Sequence, residues 1–500
     1  MSATIEPAKE LDSVPRQVPS FAITALQKNA RGFMSLILAT SDAFSLVLAV
    51  FLAVGIRWLA GILLPNVVVL STPMLYLTLI PIILVFLLIY KLWGLYPAIG
   101  LGPVEELKRL VTSTTIVFTA FTAFTFWVRT AEIYSRSVIA FSWLFALFLL
   151  PVSRWITRSI CVRMGIWGEP VAVIGNSTLG TRVIDFLLDR PHIGLRPKLL
   201  IEDSEQKDPT AHSIPTLVVD HEDSDVSAIK SQGVQSAIII GAQLSSKLND
   251  LILNEQVYAF KHLILISDLS WIGSLGVTPL EFEGLLGLEI RQNLLNFWVQ
   301  TLKRIFDLTL SSLLLILGLP IYLLLSLIIS LDSKGSPFYT QERIGQSGRK
   351  IRIWKFRTMY IDGSQLFSDY LSNHPQIEKE WENTHKLKDD PRVTRVGKFL
   401  RRFSLDELPQ IWNVINGDMS LVGPRPFLEE EKHHYQKGLS LYRRVRPGIT
   451  GLWQVYGRAE LSFSERVRYD EYYIRNWSIW LDIYILGRTV WTVLRSEGAY

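Results

Sequence analysis

Two adjacent carboxylates, Asp406 and Glu407, stand just ahead of an apolar segment in Ser404-Leu-Asp-Glu-Leu-Pro-Gln410. One chemistry open to them is phosphoryl transfer. An ionised Asp406 can attack phosphorus as a nucleophile. Glu407 can hold a Mg²⁺ bridging a diphosphate, since magnesium takes one or two carboxylates together with substrate phosphates. The same residues also suit an ordinary helix start. Ser404 with Glu407 fits a capping box, Pro409 suits a first turn, and acids are favoured at a helix N-terminus, which would keep Asp406 ionised. Taken alone, the pair leaves the two readings level.

Its neighbours add cations. From Gln341 to Arg402 there are 14 Lys and Arg against 8 Asp and Glu. Within this strip, Ile351-Arg-Ile-Trp-Lys-Phe-Arg357 reads as a strand with Lys355 and Arg357 on one face and Trp354 and Phe356 on the other. Two glycine-punctuated segments follow the pair: Asn416–Pro426 presents Arg425, and Arg446–Arg458 presents Trp453, Gln454 and Arg458. Rigid turns that aim cations are what a phosphate-clamping site needs. The residues so presented are Lys355, Arg357, Arg425, Gln454 and Arg458; Arg343, Asp390 and Arg392 of the same strip join the candidate substrate-binding set on the resemblance described below.

Such residues need a frame, and the rest of the chain suggests a membrane-bound one. Apolar residues make up 49% of the 500, with 15 Trp, 17 Tyr and 24 Phe, high values for a soluble protein. The net charge of +5 favours anionic lipid or phosphorylated substrates over nucleic acid once the apolar segments are considered. A single cysteine, Cys161, excludes an intrachain disulfide framework, and no His/Cys cluster has metal-ligand spacing. The polar N-terminus, up to about Arg31, lacks the pattern of a cleaved signal peptide.

Four apolar stretches, Phe33–Leu64, Met74–Tyr90, Thr112–Val128 and Val138–Ile156, approach or exceed the ~20 residues that cross a bilayer. Basic residues cluster before the first, between the second and third, and at the end of the fourth, which places both ends of the bundle in the cytoplasm. Short β-rich runs from Val171 to Ile266, separated by helix-length segments, then predict a parallel α/β sheet. Gly175-Asn-Ser-Thr-Leu-Gly180 fits a tight strand-to-helix turn; it lacks the full fingerprint of a dinucleotide or P-loop site, and no cofactor is expected there.

A fifth apolar run, Leu308–Ser330, carries Gly318 and Pro320 at its centre and basic residues on both flanks. A proline-bent re-entrant helix keeps both flanks on one side, although ordinary spans also carry prolines. The terminal Ile474–Arg495 suits either an interfacial helix or a buried one. The expected fold is thus a four-span membrane α-helical bundle, a Rossmann-like α/β domain and a mainly α catalytic domain with a re-entrant membrane helix. Its boundaries are a tail at 1–31, the bundle at 32–160, the α/β domain at 161–295 and the catalytic domain at 296–500, with the re-entrant helix at 303–331.

Five motifs occur in an order that resembles the bacterial sugar transferase family, the monotopic phosphoglycosyl transferases. They are Lys355-Phe-Arg-Thr-Met359, Asp390-Pro-Arg392, Ser404-Leu-Asp-Glu-Leu-Pro-Gln410, Gly417-Asp-Met-Ser-Leu-Val-Gly-Pro-Arg-Pro426 and Pro447-Gly-Ile-Thr-Gly-Leu-Trp-Gln454. The likeness covers about Lys303 to Tyr500, and the preceding segments resemble the large subclass that starts O-antigen, capsule or exopolysaccharide synthesis. It implies that Asp406 attacks a UDP-sugar, with UMP leaving, and that undecaprenyl phosphate takes the hexose phosphate, galactose 1-phosphate in the leading case and glucose 1-phosphate in the next. It further implies a Mg²⁺ on Glu407, phosphate neutralisation by Lys355, Arg357, Arg392 and Arg425, the re-entrant anchor in the bacterial inner membrane, a cytoplasmic catalytic domain and a homodimer. Many members carry serine before the helix proline, where this chain has Leu319. Two competing readings make different predictions. A membrane glycosyltransferase would release UDP, and a non-catalytic export regulator would tolerate Asp406→Asn.

Overall fold

The computed structural model describes residues 30–63, 73–128, 135–175, 177–203, 216–219, 234, 236–240, 260, 262–266, 277–282, 285–290, 297–361, 363, 367, 370, 372, 390–435, 439–457 and 461–495. The chain forms two compact units, Met1–Leu269 and Ser270–Tyr500.

In the first unit four helices make a bundle: α1 (Ala30–Leu63), α2 (Pro73–Leu92), α3 (Pro103–Trp127) and α4 (Arg136–Arg163). Ala30–Ile62, Pro103–Trp127 and Arg136–Arg163 are long and apolar enough to cross a membrane; the apolar Leu79–Leu92 of α2 is shorter. Leu46, Phe86, Tyr90, Leu110, Val117 and Leu150 fill the centre. Arg154 is buried there between Asp42 at 2.6 Å and Glu106 at 2.8 Å, and Arg158 reaches Glu106 at 2.6 Å. Each buried carboxylate faces an arginine, the condition under which charge survives in an apolar interior.

The unit continues into a parallel sheet of β1 (Glu169–Ile174), β2 (Leu195–Asp203), β3 (Thr216–Val219), β4 (Ser236–Ile240) and β5 (His262–Ile266), in the order β3-β2-β1-β4-β5. β1 is buried along its whole length, as a central parallel strand must be. Its register against β2 slips between Val171 and Ala172, opposite Pro197, whose nitrogen has no proton to donate. After β1 the chain enters α5 (Ser177–Leu188). Packing accounts for both glycines of that turn: a Cβ would lie 2.9 Å from Ile240 at Gly175 and 2.9 Å from Leu200 at Gly180. Arg31 of α1 joins the sheet through Glu169 at 2.7 Å, which also accepts from Ser236.

The second unit opens on the antiparallel pair β6 (Val277–Phe282) and β7 (Leu285–Ile290), followed by α6 (Phe297–Asp332), 36 residues with Pro320 inside. Its Trp298–Asp332 portion is also long and apolar enough to cross a membrane. Small elements follow. β8 (Phe338–Ile344) pairs with β9 (Lys350–Phe356); α7 (Arg395–Arg402), a single turn Leu405–Glu407 and α8 (Gln410–Asn416) come next. β10 (Ser420–Val422) pairs in parallel with β11 (Gly448–Thr450), and α9 (Leu452–Tyr456), α10 (Phe463–Asn476) and α11 (Ile479–Arg495) complete the unit.

The two glycine-punctuated segments are thus laid side by side as β10 and β11, and their backbones approach too closely for side chains. A Cβ on Gly448 would sit 2.0 Å from the nitrogen of Gly423, a backbone atom that cannot step aside. Gly448→Ala is therefore expected to cost about 3 kcal/mol. Gly487→Ala, where nothing lies within 4 Å, is expected to gain up to about 1 kcal/mol from helix propensity alone. Thermal unfolding of the two variants checks the contrast.

Candidate active site

The Asp406-Glu407 turn is not the capped helix start that its sequence suggests. Leu405–Glu407 forms its own 3-10 turn, separated by Leu408 and Pro409 from α8. Ser404 enters it at φ 53°, in the left-handed region, and its side chain caps nothing. A non-glycine residue there is uncommon and costs backbone strain, so the surroundings must hold it in place. Two apolar neighbours help. Leu405 and Leu408 pack with Leu325, Ile329, Phe356 and Leu400.

β9 lies alongside, fixed by Asn413 of α8. The Asn413 amide donates to the Arg352 carbonyl at 2.7 Å and accepts the Trp354 N–H at 3.0 Å, taking the place of a neighbouring strand. Trp354 and Phe356 share a face of β9, both meeting Phe338. Lys355 lies on the other face and donates to Glu407 Oε1 at 2.7 Å.

α7 delivers a further cation. Thr394 caps its N-terminus, and Gly397 lets the helix lie directly on the backbone of Thr358, since a Cβ there would meet the Thr358 carbonyl at 2.1 Å. Arg401 then donates to Thr358 Oγ1 at 3.0 Å and acts electrostatically on both Asp406 and Asp390. Asp390 takes both the Nε and Nη2 protons of Arg392, at 2.8 and 2.6 Å. Burial opposes its charge, but these bonds prevail and hold its carboxyl below the usual range.

On the Glu407 side Arg343 feels Arg425, Glu431 and Glu407, in that order; burial and then Arg425 hold its guanidinium below its ordinary range. Arg425 lies over the Trp453 ring at 5.7 Å, with Arg466 over the same ring at 4.9 Å. The carbonyl of Arg425 accepts from Tyr442, and beside it burial pushes the Asp470 carboxyl well up, against the pull of Arg425.

Lys355 and Arg401 act on Asp406 directly, Arg343 is paired electrostatically with Glu407, and Arg392 and Arg425 act on Arg401 and Arg343 in turn. Arg357 is placed elsewhere. Its guanidinium closes the end of α6, on the carbonyls of Ser333 at 2.7 Å and Lys334 at 2.9 Å. Gln454 turns back on its own loop to the Ile449 carbonyl at 3.2 Å, and Arg458 lies outside the described residues. Sequence reasoning passed over Arg401 and Asp470. The signal for Arg401 was its place at the end of a short helix running directly into the carboxylate turn. For Asp470 it was an acid on the same helical face as Val467 and Ile474.

Burial, and then the neighbouring Glu407, raise the Asp406 carboxyl to about 6, against the pull of Lys355 and Arg401. The charge that a helix start would have stabilised is held here at some cost, near the threshold of ionisation. Being half-buried, anionic at neutral pH and beside two cations, Asp406 suits attack on an electrophile of high negative charge.

A bacterial sugar transferase family model matches residues 298–496. The chain is 33% identical to the undecaprenyl-phosphate galactose phosphotransferase of Salmonella typhimurium, over 79% of this chain and 82% of that one. It is 31% identical to the UDP-glucose:undecaprenyl-phosphate glucose-1-phosphate transferase of Escherichia coli, over 74% and 80% respectively. It is also 44% identical to the exopolysaccharide production protein ExoY of Sinorhizobium fredii, over 40% of this chain and 88% of that one.

The raised carboxyl yields a pH prediction. As the nucleophile expected from the sequence, Asp406 would have to be ionised, so kcat/KM is expected to fall as pH drops through about 6, and Lys355→Met, which removes a cation, should move that limb upward. The sign for stability is opposite: a raised carboxylate costs folding free energy at neutral pH, so Asp406→Asn should unfold no earlier than the native chain at pH 7 while losing activity. An acid limb near 4 in kcat/KM profiles would contradict the first expectation, and a lowered melting temperature the second. With its motifs gathered around one poised carboxylate and relatives matched over four-fifths of their length, the chain belongs to the bacterial sugar transferase family.

Proposed function

We propose that this chain transfers a hexose 1-phosphate, galactose 1-phosphate first among candidates, from a UDP-sugar to undecaprenyl phosphate, opening polysaccharide assembly at the bacterial inner membrane. The observation that carries this reading is the half-buried Asp406, its carboxyl raised to about 6 beside Lys355 and Arg401. The relatives' names support the substrate class, and the presence of both a galactose and a glucose enzyme among them keeps UDP-glucose as the second donor.

In the first step an Asp406 carboxylate oxygen bonds to the sugar-bearing phosphorus, and the bond from that phosphorus to the bridging oxygen breaks. UMP leaves with the electron pair, and a sugar-phosphoryl aspartate remains. In the second step a phosphate oxygen of the lipid attacks the same phosphorus and the carboxylate is restored. Neither nucleophile has a proton to lose, so the task of the site is to lower repulsion between anions. Lys355 and Arg401 flank the nucleophile, while Arg343, Arg392 and Arg425 would neutralise the diphosphate and the lipid phosphate.

Mg²⁺ fits this arrangement. Among the described residues no three His, Cys, Asp or Glu side chains gather into a protein-only cage. Adjacent carboxylates beside a diphosphate are a donor set that magnesium favours, with Glu407 as its ligand and Lys355 on one Glu407 oxygen. When bound, the ion would supply charge neutralisation to the diphosphate.

The re-entrant reading of α6 gains support from contacts on both sides of Pro320. Arg304 donates to Val414 and Ile415 of α8, whereas Tyr322 donates to Leu408 just before α8. Contacts of both flanks with one small catalytic unit favour a helix that enters the bilayer and returns to the same side. The flanking cations and the charge bias of the bundle favour the cytoplasmic side. The parallel order β3-β2-β1-β4-β5 supports a Rossmann-like reading of the sheet.

The test uses the full chain in lipid nanodiscs with undecaprenyl phosphate and Mg²⁺, each UDP-sugar in turn, and a readout of UMP. UDP-galactose is expected to react fastest, and with the lipid acceptor omitted one equivalent of labelled sugar phosphate should stay on the wild-type protein and none on Asp406→Asn. Release of UDP, or full activity of that variant, would overturn the mechanism.

A further inference from the structure

The 3-10 turn carrying Asp406 and Glu407 is weakly held by its own backbone. Its internal bonds are long, 3.3 Å from Glu407 N–H to the Ser404 carbonyl and 3.2 Å from Leu408 N–H to the Leu405 carbonyl. It also begins at the left-handed Ser404. A shorter bond reaches it from outside: the Tyr322 hydroxyl of α6 donates to the Leu408 carbonyl at 2.8 Å. The same carbonyl accepts the Ile411 N–H at 3.1 Å, so the bond lies where the turn becomes α8.

Tyr322 belongs to a stripe of α6 with Gly318, Leu325 and Ile329, at helical spacing, and the last two are buried against Leu400 and Phe356. The Tyr322 ring itself meets Phe356, beside Lys355, with centroids 6.1 Å apart. Gly318, one turn earlier, leaves the ring its place. A Cβ there would be 3.1 Å from Cε2 of Tyr322, so the ring would have to shift by a few tenths of an ångström. No residue of this group faces the reacting atoms.

Resting on the phosphoryl-aspartate reading above, we infer that Tyr322 is a positioning residue that fastens the Asp406-Glu407 turn to α6 through its hydroxyl, with Gly318 as the space that aims it. The seating of the membrane helix thereby sets the line along which Asp406 meets phosphorus. Small displacements of a nucleophile cost rate rather than substrate binding.

The experiment compares the full-length chain with Tyr322→Phe, Gly318→Ala and the double variant, in nanodiscs of one lipid composition. Tyr322→Phe keeps the ring and loses only the hydroxyl. Its single-turnover rate of protein labelling by UDP-sugar is expected to fall about tenfold or more, with KM for the UDP-sugar within about twofold of wild type. Gly318→Ala should slow the wild type but add nothing to Tyr322→Phe, because its effect passes through the bond already removed. A Tyr322→Phe labelling rate equal to wild type, or a Gly318→Ala penalty equal in both backgrounds, would overturn the inference. Failure of the underlying reading looks different: the wild-type chain itself would form no sugar-phosphoryl protein.

Discussion

A helix of seven or eight residues has little stability of its own in water, because the cost of its first turn is not recovered over so short a length. α7, α8 and α9 are of this kind, with 8, 7 and 5 residues, and β10 and β11 have three each. These pieces hold the motifs, so their form depends on what they bind to. For α8 and β10 the binding partner is one turn of α6, while α7 packs on a later stretch of it through Leu400. Arg304 takes the Val414 and Ile415 carbonyls, orphan acceptors at the end of α8. Asp307, buried, takes the Ser420 hydroxyl and the Leu421 N–H of β10. Lys303 donates to the Val422 carbonyl and to Asp482 of α11, whose carboxylate also takes Tyr473 and Trp477. Charged donors and acceptors in a low-dielectric setting make stronger bonds than neutral ones, and losing one partner strands the other. A helix of 36 residues is long enough to serve as the frame for elements that cannot stand alone.

The same frame determines the electrostatics. Asp406 is buried enough for its charge to be costly, yet Lys355 and Arg401 arrive from two different elements, β9 and α7, to keep it ionisable near neutral pH. Neither cation could be placed by local sequence. Lys355 depends on Asn413 sealing the edge of β9, and Arg401 depends on Gly397 letting α7 touch the Thr358 backbone. Arg343 carries the arrangement on toward Arg425, whose ring partner Trp453 comes from the segment after β11. Cations so close together repel one another, and for Arg343 burial adds to that repulsion. A surface built this way is unstable toward itself and stabilised by polyanions, which is the electrostatic profile of a diphosphate site.

The segments of the chain that read clearly in the sequence were those where one residue pattern repeats. Apolar runs announced the helices of the bundle and α6, and the unbroken Val171–Ile174 announced a strand, which the structure places at the centre of the sheet. The period-two reading of Ile351–Arg357 put Lys355 opposite Trp354 and Phe356, where they are found. The carboxylate turn was misread for an equally physical reason. Ser404, Glu407 and Pro409 satisfy the local rules of a helix start, but tertiary contacts at Leu405 and Leu408, with Ser404 in the left-handed region, impose a separate turn. Arg357 illustrates the other limit. Its position in a cationic strand says nothing of the Ser333 and Lys334 carbonyls, just past the end of α6, that take its protons. Where a side chain's partner is distant in sequence and its alternatives are all polar, spacing cannot choose among them.

A covalent route has a consequence for how such a site can be built. On the proposed reaction one substrate is water-soluble and the other is held in the bilayer, and both present phosphates to the same nucleophile. Direct transfer would require two polyanions together in a single cationic site, each repelling the other. A phosphoryl-aspartate separates them in time, so the cations that receive the diphosphate are available to the lipid phosphate once UMP has gone. The nucleophile must then stand where both water and lipid can reach it. A turn fastened to a membrane helix, rather than one buried in a soluble core, meets that requirement. It also explains why the fastening falls on the backbone of Leu408 and leaves the carboxylates of Asp406 and Glu407 turned toward the cations. A hydroxyl donated to the Asp406 carboxylate would have held the turn equally well, but by stabilising the anion it would have made a weaker nucleophile.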